Sequence, residues 1–342
     1  MILTAREDDA GRRLDRILRK ALPALPLSAL HRLLRRGMVL VNGLPARGDQ
    51  RILGGAVIRL PPQVNSAGAK RANAFPGRSA PNSGEVLEIL WEGAGLLILN
   101  KPAGLAVHGK AGEDTLEGRV RTRLAERFSP SLSFKPGPLH RLDQPSSGIL
   151  VFSSTLDGAR RFSALLREEK IRKRYLAILE GTLKKNETWE EFLTRDRAVG
   201  KTLPASPSLP PSAGRRALTR AFPLAAASPG GRSYTLARLE IETGRTHQIR
   251  SHAAFHGYPL AGDRKYGGGP LALDGGTGGG SFFLHAEELE IPPEEWKAAG
   301  DRGSLPPPFV RAPLPEQFRE CIRRIFGDPG LSCIPARSHQ AL

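Results

Sequence analysis

Gly137-Pro-Leu-His140-Arg141-Leu-Asp143-Gln-Pro-Ser-Ser-Gly148-Ile-Leu-Val-Phe152 sets three chemically active side chains in a loop bounded by proline and glycine, immediately before a short apolar run. The run 149–152 has the length and composition of a buried strand, and loops held by rigid strands are where catalytic groups tend to sit. An aspartate here has an ordinary reading, a turn or capping residue, and a chemical one, a carboxylate presented to a ligand. Outward from it, residues 96–99, 175–179 and 234–243 are also strand-like, with helices between them, notably 156–169. In 234–243 Ala237, Leu239 and Ile241 alternate with Arg238, Glu240 and Glu242, a sheet with one solvated face. An α+β domain follows.

Two further stretches carry candidate chemistry. In Arg172-Lys173-Arg174-Tyr175 an aromatic enters a strand from a cluster of cations; a lone tyrosine in such a place is ordinarily core. In Thr243-Gly244-Arg245-Thr246-His247-Gln248-Ile249-Arg250-Ser251-His252, Thr246 is placed to cap a helix that Gly257 ends, and Arg250 lies on that helix one turn beyond His247. His252 and His256, four apart on a helix face, raise a zinc site together with His140 and His247. No cysteine or well-spaced carboxylate completes it, and no metal is expected.

With 51 Lys and Arg against 34 Asp and Glu, the chain carries +17 and has a pI near 10.6, the footprint of a protein that meets a polyanion. RNA, DNA and an anionic membrane all satisfy that. Apolar runs such as 96–99 and 149–152 are far below a bilayer span, and no signal peptide opens the chain. Cys321 and Cys333 match neither a zinc motif nor a disulfide framework, so a cytoplasmic setting is expected.

The charge is concentrated early, with twelve Lys or Arg against five Asp or Glu in the first sixty residues. Leu14, Ile17, Leu18, Ala21 and Leu22 fall on one helical arc, with Arg12, Arg13, Arg16, Arg19 and Lys20 opposite. A second helix repeats the pattern. Ser28 would cap it, Leu30, Leu33 and Leu34 form its apolar face, Arg32, Arg35 and Arg36 its basic face, and Gly37 stops it. Residues 39–41, Asn42-Gly43 and 56–60 then suggest a small hairpin sheet. These arginines are either a solvated face or a phosphate-binding one; two successive arginine-biased helices favour phosphate, which guanidinium forks suit.

Residues 61–84, rich in Pro, Gly, Ser and Asn and without an acidic residue, read as a linker. The loose stretches 203–214 and 267–280 read as surface loops, and the second lacks the Lys-Ser or Lys-Thr of a phosphate-cradling loop.

The three motif stretches together resemble the RluA-type pseudouridine synthases. The His-Arg-Leu-Asp signature appears at 140–152, the basic-Tyr-x-Ala segment at 173–177 and the Gly-Arg-Thr-His-Gln-Ile-Arg-x-His block at 244–252. Asn100-Lys-Pro-Ala-Gly-Leu-Ala-Val-His108, Gly262-Asp-Arg-Lys-Tyr266 and Phe283-Leu-His-Ala-Glu-Glu-Leu289 match further blocks, and residues 11–60 resemble an S4 RNA-binding domain. The departures are small: Pro145-Ser146, the Pro/Ser-rich loop before Arg215 and the long linker.

The resemblance implies an α+β chain whose N-terminal S4-type domain (1–60), two helices on a short β-hairpin sheet, is followed by a flexible linker (61–84). A catalytic domain (85–326) with a central mixed, mainly antiparallel sheet flanked by helices, and a tail (327–342), complete it. It implies isomerisation of specific uridines to pseudouridine in structured RNA, first of all large-subunit (23S) rRNA, by a monomer without metal or cofactor. Asp143 is then the reacting carboxylate, Arg250 its ion-pair partner and Tyr175 the ring against the flipped uracil. Arg141 would fill the gap left by the base and grip phosphate, with His140, Arg245 and His247 also contacting RNA. A glycosidase would want a second carboxylate instead of these cations. An inactive RNA-binding assembly factor of the same fold is the alternative.

Overall fold

In the computed structural model the described residues are 1–64, 87–110, 112–127, 131–196, 198–205, 214–271, 282–297 and 305–334. Most of the expected linker, the middle of both loose loops and the end of the tail lie outside them. The described chain forms two compact units.

The first unit takes in the described residues of Met1–Val86, His108–Pro138 and Phe152–Arg160. Helix Leu14–Ala21 buries Leu14, Ile17, Leu18 and Ala21, and helix Leu27–Arg35 buries Leu30 and Leu34, the spacing that puts apolar groups on one helical face. They share a core with a four-stranded sheet in the order Ile2–Thr4, Val57–Arg59, Leu40–Val41, Leu44–Pro45. Asn42 and Gly43, at φ 51 and 87, make the left-handed turn that matches strand twist.

Three local expectations change. The hairpin closes on Leu44–Pro45 rather than on 56–60, and Val57–Arg59 instead pairs with both Ile2–Thr4 and Leu40–Val41. Pro26 takes the N-cap place of the second helix, so Ser28 lies inside it. Residues Pro62–Val64, assigned to the linker from sequence, form a short 3-10 turn, and Val64 is buried in the same core.

The module also does not end near residue 60. Asp9 is fully buried, and its carboxylate accepts from Arg6 N (2.9 Å), Ser131 Oγ (2.7 Å), Leu132 N (3.1 Å), Ser133 N (2.9 Å) and Ser133 Oγ (2.5 Å). Asp8 accepts from Leu156 N at 2.8 Å. A buried carboxylate must be satisfied by such donors, and here all but Arg6 N come from more than a hundred residues downstream. Asp9→Ala would remove the acceptor of three backbone N–H groups, those of Arg6, Leu132 and the buried Ser133, so it should destabilise this unit by about 3 kcal/mol or more in urea unfolding. It should also expose the Leu132 and Ser133 amides to hydrogen exchange.

The second unit takes in the described residues of Leu87–Val107, Leu139–Val151 and Arg161–Leu342. Its sheet runs in the order Lys201–Pro204, Glu187–Asp196, Arg215–Ala227, Tyr234–Ile241, Arg172–Glu180, Leu284–Glu290, Ser147–Ser153, Leu96–Lys101, Glu88–Gly93. The pairing is mixed and mainly antiparallel, as expected; Leu284–Glu290 and Ser147–Ser153 run parallel. Along Arg172–Glu180, Leu176 and Ile178 point to one face, where they pack with Phe318, Ile322 and Ile325 of the C-terminal helix Glu316–Ser332. That helix breaks at Gly327 (φ 68), where the sequence placed the start of a tail, and resumes to Ser332. Arg174, on the same face, is paired with Glu240, Glu288 and Glu290 of the neighbouring strands. Lys173 and Tyr175 therefore point to the other face.

Candidate active site

Asp143 lies in the loop that leads into strand Ser147–Ser153, and its carbonyl closes a turn by accepting from Ser146 N at 3.0 Å. Two buried groups hold this loop. Lys101, fully buried, donates to the carbonyls of Pro102 (2.8 Å), Leu105 (2.7 Å) and Gln144 (3.1 Å); burial pulls its pKa down to about 8, with Asp143 opposing. His285, kept neutral because burial pushes its ring down to about 4, meets Ser147 Oγ at 2.9 Å. Gly148 (φ 104) has to be glycine: a Cβ there would lie 2.3 Å from the carbonyl oxygen of Ala286 on the parallel strand.

Arg250 sits on helix Gln248–Phe255 and is 8 % exposed at its side chain. It donates from Nη1 to Asp143 Oδ2 (2.8 Å), and from Nε and Nη2 to the two oxygens of Asp263 (2.6 and 2.8 Å). Its guanidinium lies between the rings of Tyr266 (4.9 Å) and Phe282 (4.4 Å). Burial opposes the charge, but hydrogen bonds to Asp263 and then Asp143 outweigh it and raise the pKa. Asp263 is 1 % exposed and Asp143 25 %, so of the two carboxylates only Asp143 can meet a ligand. Asp263 belongs to the 262–266 block, but nothing in the sequence marks it as the partner that clamps Arg250.

Tyr175 is buried beside this pair; burial first, and then Asp143's charge, raise its phenol above the ordinary range, so it keeps its proton. Arg141 is exposed, with no hydrogen bond or ion pair among the described residues. His140 is turned inward: Nε2 accepts from Val151 N at 3.1 Å, and burial followed by Lys173's charge drives the ring to about 3. It therefore acts as a neutral brace under the loop. Arg245 Nε donates to the Arg216 carbonyl at 3.0 Å. Lys173, which the sequence shows only as one of a cluster of cations, is a buried ammonium, pulled to about 8 by burial and then by Arg245.

Two expectations fail here. Thr246 is not the cap of the Arg250 helix: His247 takes the N-cap place in a left-handed conformation, φ 53 and ψ 24, without a side-chain cap bond. Gly257 (φ 84) does follow the helix end. In the N-terminal unit Arg16, Arg19, Lys20, Arg32, Arg35 and Arg36 are exposed, whereas Arg12 turns inward to the Ser133 carbonyl at 3.1 Å. Of the four histidines weighed as a zinc set, His252 and His256 share Glu191, at 3.2 and 2.8 Å, and no group of three or more His, Cys, Asp or Glu among the described residues is placed to hold a metal ion.

The structure thus brings Asp143, Tyr175 and Arg250 together and adds Asp263, a hidden second carboxylate on Arg250 that the motifs did not anticipate. The family model for RNA pseudouridylate synthase matches residues 95–255. A ribosomal large subunit pseudouridine synthase C from Vibrio vulnificus (strain CMCP6) is 30 % identical over 93 % of this chain and 94 % of its own length. The protein of that name from Escherichia coli (strain K12) is 29 % identical over 95 % and 96 %. Among solved structures, human RNA pseudouridylate synthase domain containing 4 superposes with a TM-score of 0.53 at 23 % identity, over 69 % of this chain and 92 % of that one. The chain belongs to the RluA-type RNA pseudouridylate synthases, isomerases that act on RNA. No helix among the described residues is long and apolar enough to cross a membrane.

Proposed function

We propose that this protein converts specific uridines of large-subunit (23S) rRNA to pseudouridine, with Asp143 as the reacting carboxylate. The observation that carries the reading is the Asp143–Arg250–Asp263 arrangement, in which Arg250 holds one hidden carboxylate and one accessible carboxylate. The relatives named for the large ribosomal subunit, aligned over more than nine-tenths of the chain, support the choice of RNA.

The reaction breaks the bond from C1′ to N1 of the uracil, turns the retained base and forms a bond from C1′ to C5. One proton leaves C5 and one is taken up at N1, so no co-substrate or redox partner is consumed. Asp143 acts at the sugar as nucleophile or proton acceptor. Tyr175, protonated, packs against the base and assists the proton movement. Arg141, exposed two residues before Asp143, enters the stack in place of the flipped base and grips a phosphate, with Arg245 beside it. The enzyme works in the cytoplasm as a monomer without metal or cofactor.

The N-terminal unit is read as an S4-type docking module, with Arg16, Arg19, Lys20, Arg32, Arg35 and Arg36 along phosphates. Replacing Arg16, Arg19, Arg32 and Arg35 by Gln should flatten the salt dependence of RNA binding by roughly 0.7 to 0.9 in logarithmic slope for each phosphate no longer neutralised. An unchanged slope would assign docking to another surface.

The decisive assay uses 23S rRNA transcribed with [5-³H]uridine, which loses tritium to water when C5 becomes the glycosidic carbon, and maps pseudouridines in RNA from cells with and without the protein. Tritium release with a map position that depends on the protein supports the reading. Release of free uracil would make it a glycosidase, and no release from any RNA would leave it a binding protein.

A further inference from the structure

The polar chain behind Asp143 has a second branch. His247 Nε2 lies 3.7 Å from Asp143 Oδ1, the oxygen that Arg250 does not engage. The other ring nitrogen, Nδ1, lies 2.9 Å from the hydroxyl of Tyr266, and that hydroxyl is 2.8 Å from Thr202 N.

Proton counting fixes the direction of this branch. An amide N–H can only donate, so the Tyr266 oxygen accepts from Thr202 and has its own proton left to give. Burial raises the Tyr266 phenol, so the proton stays on it. The hydrogen bond to His247 then runs from Tyr266 Oη to Nδ1, and a neutral imidazole that accepts at Nδ1 carries its hydrogen on Nε2. The reverse tautomer would aim an Nε2 lone pair at the Asp143 carboxylate.

An imidazolium is disfavoured as well. Burial lowers the His247 pKa; Asp143 opposes this, while Arg250, Lys265 and Arg195 add to it.

We propose that His247 is a positioning residue for Asp143, locked in the Nε2–H tautomer by a relay from Thr202 N–H through the Tyr266 hydroxyl. Asp143 then has a directed donor toward each oxygen, Arg250 Nη1 at Oδ2 and His247 Nε2–H at Oδ1. At 3.7 Å the pair is longer than a hydrogen bond, so the role requires the ring and the carboxylate to approach during turnover. The proposal rests on Asp143 being the reacting carboxylate.

Two independent features point the same way. His247 holds φ 53, a left-handed conformation that is costly for a residue with a Cβ, and does so without capping the helix that follows. Tyr266 is packed edge-on to the His247 ring, centroids 5.7 Å apart, while its face carries the Arg250 guanidinium. One buried ring thus orients both donors that reach Asp143.

The test uses the full-length protein labelled with ¹⁵N at histidine, with His247→Gln identifying the resonances of His247. At neutral pH Nδ1 should resonate as an unprotonated nitrogen and Nε2 as a protonated one, and Tyr266→Phe should erase that preference. A proton on Nδ1, or an imidazolium, in the parent protein would overturn the proposal. In turnover, Tyr266→Phe should lower kcat by about tenfold with KM within about twofold, and His247→Leu by about ten- to a hundredfold. His247→Gln, which can still point an N–H at Asp143, should recover part of the His247→Leu loss. Equal loss in the Gln and Leu variants would reduce His247 to a packing role. The ring measurement reads the tautomer and not turnover, so it stands even if Asp143→Asn proves active and the assignment of the reaction fails.

Discussion

Replacing Asp143 by Asn is expected to remove isomerisation by a factor of at least about 10⁴, the order seen when an enzyme loses its reacting group, while RNA affinity stays within about threefold. The side chain is 25 % exposed and makes one short contact, accepting from Arg250 Nη1 at 2.8 Å. An amide oxygen can still accept that bond, so the loop and the Arg250–Asp263 clamp should survive. What the amide lacks is the negative charge and the lone-pair basicity that attack at the sugar requires. In the proposed function RNA docks on cations instead, Arg141 and the exposed arginines of the N-terminal unit, so the substitution leaves the docking groups intact. Single-turnover tritium release, with filter binding at the same salt concentration, separates the two effects. Turnover near the parental rate would show that another group reacts, and an equally large loss of binding would show that the loop had collapsed.

Much of this site is legible in the sequence because its key groups lie in local motifs. The run 149–152 announces a buried strand, the glycine before it permits the close parallel neighbour, and Asp143, Tyr175 and Arg250 each stand in a recognisable block. The partners that tune them are non-local. Asp263 reaches Arg250 across thirteen residues, Thr202 reaches Tyr266 across sixty-four, and Ser133 reaches Asp9 across one hundred and twenty-four. No periodicity encodes such pairings. Strands Glu187–Asp196 and Arg215–Ala227 are also illegible, the first because its charged residues leave only Trp189 and Leu193 well buried, the second because it is alanine-rich and bulged between Pro223 and Ala225. His247 escapes for a third reason: threonine before it offers an ordinary cap, and only the backbone geometry shows that the helix starts on a strained histidine. The N-terminal boundary drawn at residue 60 fails in the same way as the pairings, since a composition shift cannot reveal that Asp8 and Asp9 take their donors from distant chain.

Arg250→Met should lower activity by at least about a hundredfold, and the reason differs from that for Asp143. The guanidinium neutralises two carboxylates at once, one of them only 1 % exposed. Removing one partner of a buried pair costs about 3 to 5 kcal/mol, most of it from the charge left behind, and each 1.4 kcal/mol or so of lost transition-state stabilisation is about a factor of ten in rate. Asp263 bears the stability cost and Asp143 the catalytic one. Without the bond from Nη1 to Oδ2, Asp143 loses the donor that fixes the orientation of its carboxylate. Because the uncompensated Asp263 can prevent folding, Arg250→Lys is the companion. It retains a positive charge but has no planar fork to span Asp263 and Asp143 together or to stack between Tyr266 and Phe282, so it should fold and still lose about tenfold. An Arg250→Lys enzyme as active as the parent would show that Arg250 serves the fold and not the placement of Asp143.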